Sequence, residues 1–108
     1  MAEKSLRIAL AQCRQVNDVE TNARTIFRFL EQAAEAQAQI VCFPETQTVG
    51  YRVDIARPDT PVESQRLADL HRRIAQRCGE LKMACILGTE TPLEANPTGG
   101  KPYNSALV

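Results

Sequence analysis

Gln39-Ile40-Val41-Cys42-Phe43-Pro44-Glu45-Thr46 (QIVCFPET) is the stretch on which the fold turns. Gln39 to Phe43 is short, apolar and nearly continuous, the pattern of a strand covered on both faces. Pro44 lacks the N–H that a sheet ladder requires, so the strand stops there. Glu45 follows at once. It therefore stands just past the carboxyl end of a buried strand, where open α/β sheets collect their ligands.

Working outward toward the N-terminus, Val19, Ala23, Ile26, Leu30, Ala33 and Ala34 recur mainly at steps of three and four. That is the apolar stripe of an amphipathic helix, expected to run to about Ala36. Asn17 stands where an N-cap belongs, with Glu20 three residues on to return the bond. Before it, Leu6 to Gln12 (LRIALAQ) reads as a first strand.

In the other direction, Glu45 to Thr60 shows no regular pattern, and irregular connections of that length are often functional. Thr60-Pro61-Val62-Glu63 then opens a second helix, with a capping Thr, a first-turn Pro and a Glu at the third position. Val62, Leu67, Leu70, Ile74 and Cys78 form its stripe, and Gly79 is an end signal, with continuation to Leu81 the alternative. Met83 to Leu87 (MACIL) is a third buried strand ending near Gly88-Thr89. Glu90 to Gly100 is rich in Pro, Gly, Asn and Thr and reads as a loop. Tyr103 to Val108 begins a fourth strand. Strands alternating with helices predict an α/β layered fold over residues 1–108. The first two crossovers should be right-handed if their strands pair in parallel, and the last connection is expected to be antiparallel because its loop carries no helical pattern. A fourth strand would need more sheet and further helices to bury both its faces, so the chain reads as the N-terminal part of a larger domain.

The chain balances 13 basic against 13 acidic residues, which leaves no electrostatic footprint for nucleic acid or an anionic membrane. The apolar run after the N-terminus, Leu6 to Ala11, is too short for a signal peptide, and nothing approaches the roughly 20 apolar residues of a membrane span. A cytoplasmic location is expected. Cys13, Cys42, Cys78 and Cys85 form no C-x-x-C pair or zinc spacing; Cys42 and Cys85 sit within apolar runs, so reduced structural thiols are expected.

Among chemistry-bearing residues, Glu45 leads. A carboxylate held at a strand rim becomes a useful base when partial burial raises its pKa. A solvated loop glutamate is the bland alternative. His71, the single histidine, has no nucleophile elbow or partner beside it and reads as a surface helix residue. Gly99-Gly100-Lys101 lacks the upstream glycine and following hydroxyl of a phosphate loop. Arg66, Arg72, Arg73 and Arg77 read as a solvated helix face, with no interleaved aromatics for stacking bases. No metal or organic cofactor is expected.

Taken in order, RIALAQ, Asn22 in the first helix, AQAQIVCFPET, VGY, CILGTE and YNSALV resemble the N-terminal portion of the nitrilase, or carbon–nitrogen hydrolase, superfamily. The resemblance covers essentially the whole chain, and the FPE string with a following GY is its most specific part. It implies part of an α-β-β-α sandwich, a mixed sheet with two helices, in proteins that associate as homo-oligomers. It implies hydrolysis of nonpeptide carbon–nitrogen bonds in small amide, carbamoyl or nitrile compounds by a Glu, a Lys and a Cys, without cofactor. Glu45 matches the glutamate that acts as general base. Tyr51 matches the family's GY and is a candidate substrate contact near the pocket mouth. The lysine and nucleophilic cysteine of the pattern would both follow Val108; Lys101 precedes the strand in question, and none of the four cysteines matches the nucleophile. Residues 1–108 alone are therefore expected to be inactive. The competing expectation is a naturally short, noncatalytic protein that uses its half-sandwich for self-association or binding.

Overall fold

A computed structural model describes residues 4–50, 64–91 and 103–108. The element order is β1 (Ile8–Leu10), α1 (Val19–Glu35), β2 (Ile40–Cys42), α2 (Ser64–Leu81), β3 (Ala84–Thr91) and β4 (Tyr103–Leu107). The strands form one sheet in the order β1-β2-β3-β4. β1 and β3 flank β2 in parallel, with Ile8, Ile40 and Ala84 in one row, Ala9, Val41 and Cys85 in the next and Leu10, Cys42 and Ile86 in the third. β4 runs antiparallel to β3, pairing Leu87 with Leu107 and Thr91 with Tyr103. The antiparallel direction expected for the last connection is the one observed.

The apolar stripe of α1 is the face that packs: Val19, Ala23, Ile26, Leu30 and Ala33 are buried. They share a core with Leu67, Leu70, Ile74 and Cys78 of α2 and with Val41 and Leu87 of the sheet. The spacing of three and four turns these side chains to one side, so burying them removes apolar surface from water at roughly 25 cal/mol per Å².

The near-continuous apolar run of β2 predicts cover on both faces; among the described residues only one face has it. Val41 and Phe43 are buried beneath the helices, whereas Ile40 and Cys42 are half-buried. The same alternation leaves Ile8 and Leu10 of β1 53% and 73% exposed on the uncovered face. The regular strands are also shorter than their apolar runs, although pairing continues beyond them through Ala11 N to Cys42 O and Phe43 N to Ile86 O, each 2.9 Å. β3 is longer than expected. Gly88-Thr89 does not end it, because antiparallel pairing with β4 carries the ladder to Thr91.

The N-cap of α1 is Asp18, not Asn17. Asp18 has extended backbone angles, and its carboxylate accepts from the Thr21 amide at 3.1 Å and the Thr21 hydroxyl at 2.5 Å. The reciprocal glutamate bond from Glu20 has no role in that phase, since the third position is Thr21. The Thr60-to-Glu63 cap expected for α2 lies outside the described residues.

Both helices end in the same way. Gln37 (φ 62°) and Lys82 (φ 53°) adopt left-handed backbone. Ala38 N bonds Ala33 O at 3.0 Å, and Met83 N bonds Cys78 O at 3.0 Å, the six-to-one closure of a Schellman motif. α2 thus runs through Gly79 to Leu81, with Lys82 in the place where a glycine is usual.

Candidate active site

β2 delivers the chain to Pro44, and Glu45 begins a tight turn that ends at Gly50. Thr46 (φ 53°) and Gly50 (φ 75°) both take left-handed backbone. The Thr46 carbonyl accepts from Gly50 N at 2.7 Å and from Val49 N at 3.2 Å. A Cβ on Gly50 would stand 2.6 Å from the Val16 carbonyl oxygen, so both its φ and its surroundings require glycine.

Segments distant in sequence hold this turn. From the β1–α1 connection, the Gln15 amide, with its nitrogen facing the turn, donates to the carbonyls of Glu45 (2.8 Å) and Thr46 (3.1 Å). Buried Gln47 donates back to the Arg14 carbonyl at 3.2 Å. From α1, buried Asn22 receives the Val16 amide at 2.9 Å and donates to the carbonyls of Val16 (2.6 Å) and Thr48 (3.1 Å). One amide side chain thus ties the first helix, the connection before it and the glutamate turn together.

β3 supports the turn from beneath. Thr48 N donates to the Gly88 carbonyl at 3.3 Å. Gly88 lies directly under the Pro44–Thr46 backbone, where a side chain would collide with it. On the helix side, the hydroxyls of Thr48 and Thr89 are 2.7 Å apart, and His71 Nε2 is 2.8 Å from Thr89 Oγ1. His71 is therefore no free surface histidine. It stands four residues after Leu67 and three before Ile74, on the flank of the apolar stripe, half-buried, and burial pushes its pKa down. That phase was the available signal. For Gly88 it was a glycine inside a strand pattern, which marks close backbone approach.

Glu45 is exposed in this chain, not partly buried. The Asn104 amide of β4 donates to Glu45 Oε1. Asn104 is the register partner of Glu90, a buried carboxylate at the same end of β3. Glu45 and Asn104 thus meet at one rim, where the carboxyl ends of β2 and β3 face the beginning of β4 and Glu90 is the ladder partner of Asn104. Tyr51, the candidate substrate contact, lies outside the described residues.

Cys13, Cys78 and Cys85 are unsuited to act as nucleophiles where they stand. Burial pushes Cys13 and Cys78 up, and it pushes Cys85 up to about 12. All four cysteines are free, as expected. Among the described residues no cluster of three His, Cys, Asp or Glu could hold a metal, and no helix is long and apolar enough to cross a membrane. The arginines of α2 form a surface lattice: Arg77 pairs with Glu31 (2.6 Å) and Glu80 (2.8 Å), Arg66 with Glu20 (3.4 Å), and Arg72 with Asp69. Exposed pairs of this kind contribute little to stability.

A mixed sheet with two helices on one face and a carboxylate at a strand rim defines an α/β layer of the nitrilase type. The family model described as carbon-nitrogen hydrolase matches residues 7–108, and the chain belongs to that family. It is 36% identical over 87 residues to Hydrolase MT0498 of Mycobacterium tuberculosis (strain CDC 1551 / Oshkosh) and equally to Hydrolase Rv0480c of strain ATCC 25618 / H37Rv. Those alignments cover 81% of this chain and 30% of each relative, so the chain spans under a third of their length. Among solved structures, it resembles glutamine-dependent NAD+ synthetase from Acinetobacter baumannii in complex with ADP. The TM-score is 0.63 at 24% identity, over 95% of this chain and 18% of that one, a likeness of fold.

Proposed function

We propose that Glu45 is the general base of a Glu–Lys–Cys carbon–nitrogen hydrolase whose lysine and cysteine are supplied from outside residues 1–108. The observation that carries this reading is the turn itself. Glu45 follows a buried strand, three segments fix its backbone, and its exposed side chain stands at the rim beside Asn104. A base must be held within hydrogen-bond reach of the proton it removes, and such a mount provides that.

In this mechanism the carboxylate takes the proton of the cysteine thiol, because the thiolate is the nucleophile. The sulfur bonds to the substrate carbon, and the lysine stabilises the charge that develops at the tetrahedral stage. Ammonia or an amine leaves, and water cleaves the thioester-type intermediate. Substrates are small amide, carbamoyl or nitrile compounds, with Tyr51 as a substrate contact. The protein acts in the cytoplasm as a homo-oligomer.

The test is hydrolysis of an amide, carbamoyl and nitrile panel by the product of the whole reading frame, read as ammonia release. Glu45→Gln should lower the rate at least about 100-fold. A variant as fast as the parent removes Glu45 from the mechanism. Residues 1–108 alone should give no turnover sensitive to thiol alkylation, since removing members of a cooperating set leaves little beyond binding.

A second reading has its own observation. The exposed Ile8 and Leu10 on the uncovered sheet face suit a noncatalytic protein that associates through it. Sedimentation separates the two: a discrete oligomer of residues 1–108 favours association, and heterogeneous aggregates favour the hydrolase reading.

A further inference from the structure

We infer that His71, Thr89 and Thr48 form a directed hydrogen-bond chain that fixes the Glu45 turn from the helix side of the sheet, with His71 as its positioning residue. The functional meaning of this inference rests on Glu45 being the general base; the structural claim does not.

The three side chains come from α2, β3 and the turn. Thr48 and Thr89 are both fully buried, with their oxygens 2.7 Å apart, and Thr89 Oγ1 is 2.8 Å from His71 Nε2. Each hydroxyl has one proton to donate. If Thr48 donates to Thr89 and Thr89 donates to His71, both protons are used. His71 is then the acceptor, a neutral imidazole with its proton on Nδ1. In the reverse direction His71 donates to Thr89 and Thr89 to Thr48, and the Thr48 proton meets no acceptor among the described residues. A buried hydroxyl without a bond is disfavoured. The Glu90 carbonyl is a second acceptor for the Thr89 proton, but at 3.5 Å it is a far weaker one than His71 Nε2 at 2.8 Å, so the first direction holds.

Thr48 is the anchor that makes this matter. Its amide donates to Gly88 O, its carbonyl accepts from Asn22, and its hydroxyl enters the chain. All three of its polar groups are thereby bound to the sheet or the helices. Glu45 stands three residues earlier, between this anchor and the end of β2. An apolar residue in place of His71 would preserve packing and lose the acceptor, so position and packing are separable.

The first measurement needs no variant. Imidazole nitrogen shifts of His71 in the full chain should place the proton on Nδ1 at neutral pH; a proton on Nε2 overturns the inference. Amide exchange then tests the consequence. His71→Leu and Thr89→Val should each speed exchange at Thr48 and Gly50 about tenfold, with the Phe43 amide unchanged. His71→Gln, whose side-chain oxygen reaches roughly where Nε2 stands, should restore most of the protection. Acceleration spread evenly over α2 and the sheet, or no restoration by glutamine, overturns it. Because exchange reads the turn and not turnover, loosening of the turn alongside an active Glu45→Gln enzyme would remove the base and leave the chain standing.

Discussion

Gly88 and Glu45 share a space that no side chain can enter: a Cβ on Gly88 would lie 2.7 Å from Glu45 Cα and 2.1 Å from the Pro44 carbonyl oxygen. Both contacts are backbone, so nothing can swing aside. Gly88→Ala should lift the turn off the sheet and cost roughly 2 kcal/mol or more. Urea unfolding gives the cost, and amide shifts should change most at Glu45, Thr46 and Thr48. An alanine variant with parental stability and parental shifts would mean that the two strands do not approach this closely.

Asn22 gives a second handle on the same turn. Asn22→Leu keeps the volume and leaves the amide and carbonyl of Val16 and the carbonyl of Thr48 without their partner. Stranding buried groups of this kind costs about 1–3 kcal/mol each when water does not reach them. We expect a total of roughly 2–4 kcal/mol by chemical denaturation, since Val16 is only half-buried. A loss below about 0.5 kcal/mol would show that the three bonds are not made in solution.

The helix cap separates two neighbours. Asp18→Ala should lower the thermal midpoint, because it removes the acceptor for the Thr21 amide and hydroxyl, the same bonds that hold the Asp18 carboxyl below its usual value. Asn17→Ala should leave the start of α1 unchanged. Equal effects at the two positions in far-ultraviolet melting would contradict the assignment of the cap.

His71 should make stability depend on pH. Burial lowers its pKa below the ordinary 6.5, so between the two values the unfolded chain binds a proton that the folded chain does not. Stability is then fully present above about pH 6.5 and falls as pH drops through that window. Urea unfolding between about pH 5 and 7.5 should show this slope for the parent and lose it in His71→Gln. A parent curve that coincides with the variant across the window would contradict it.

Much of this architecture is legible in the residues. Steps of three and four in α1 and α2 give the helices and their buried faces, since one periodicity decides which side chains point inward. The apolar run before Pro44 gives β2. What the run does not carry is which face is covered, because a two-sided apolar strand reads the same whether its second neighbour is present or not. Cap phase is ambiguous between Asn17 and Asp18, two good caps in succession. Gly79 misleads because Lys82 tolerates the left-handed turn that glycine usually supplies. At the site, Glu45 can be singled out by motif, but its supports cannot. Thr48, Thr89, Gln15 and Asn104 are ordinary polar residues until the sheet brings them together across tens of positions.

The reversal of direction between β3 and β4 has an evolutionary consequence. Thr91 and Tyr103 are paired across the ladder, so the connection between them leaves and re-enters the sheet at the rim that bears Glu45 and Asn104. Both its ends are already stapled by the paired strands. A change between those two ends therefore need not shift the register of β3 against β4, so selection can act on the connection while the mount of the carboxylate is inherited intact.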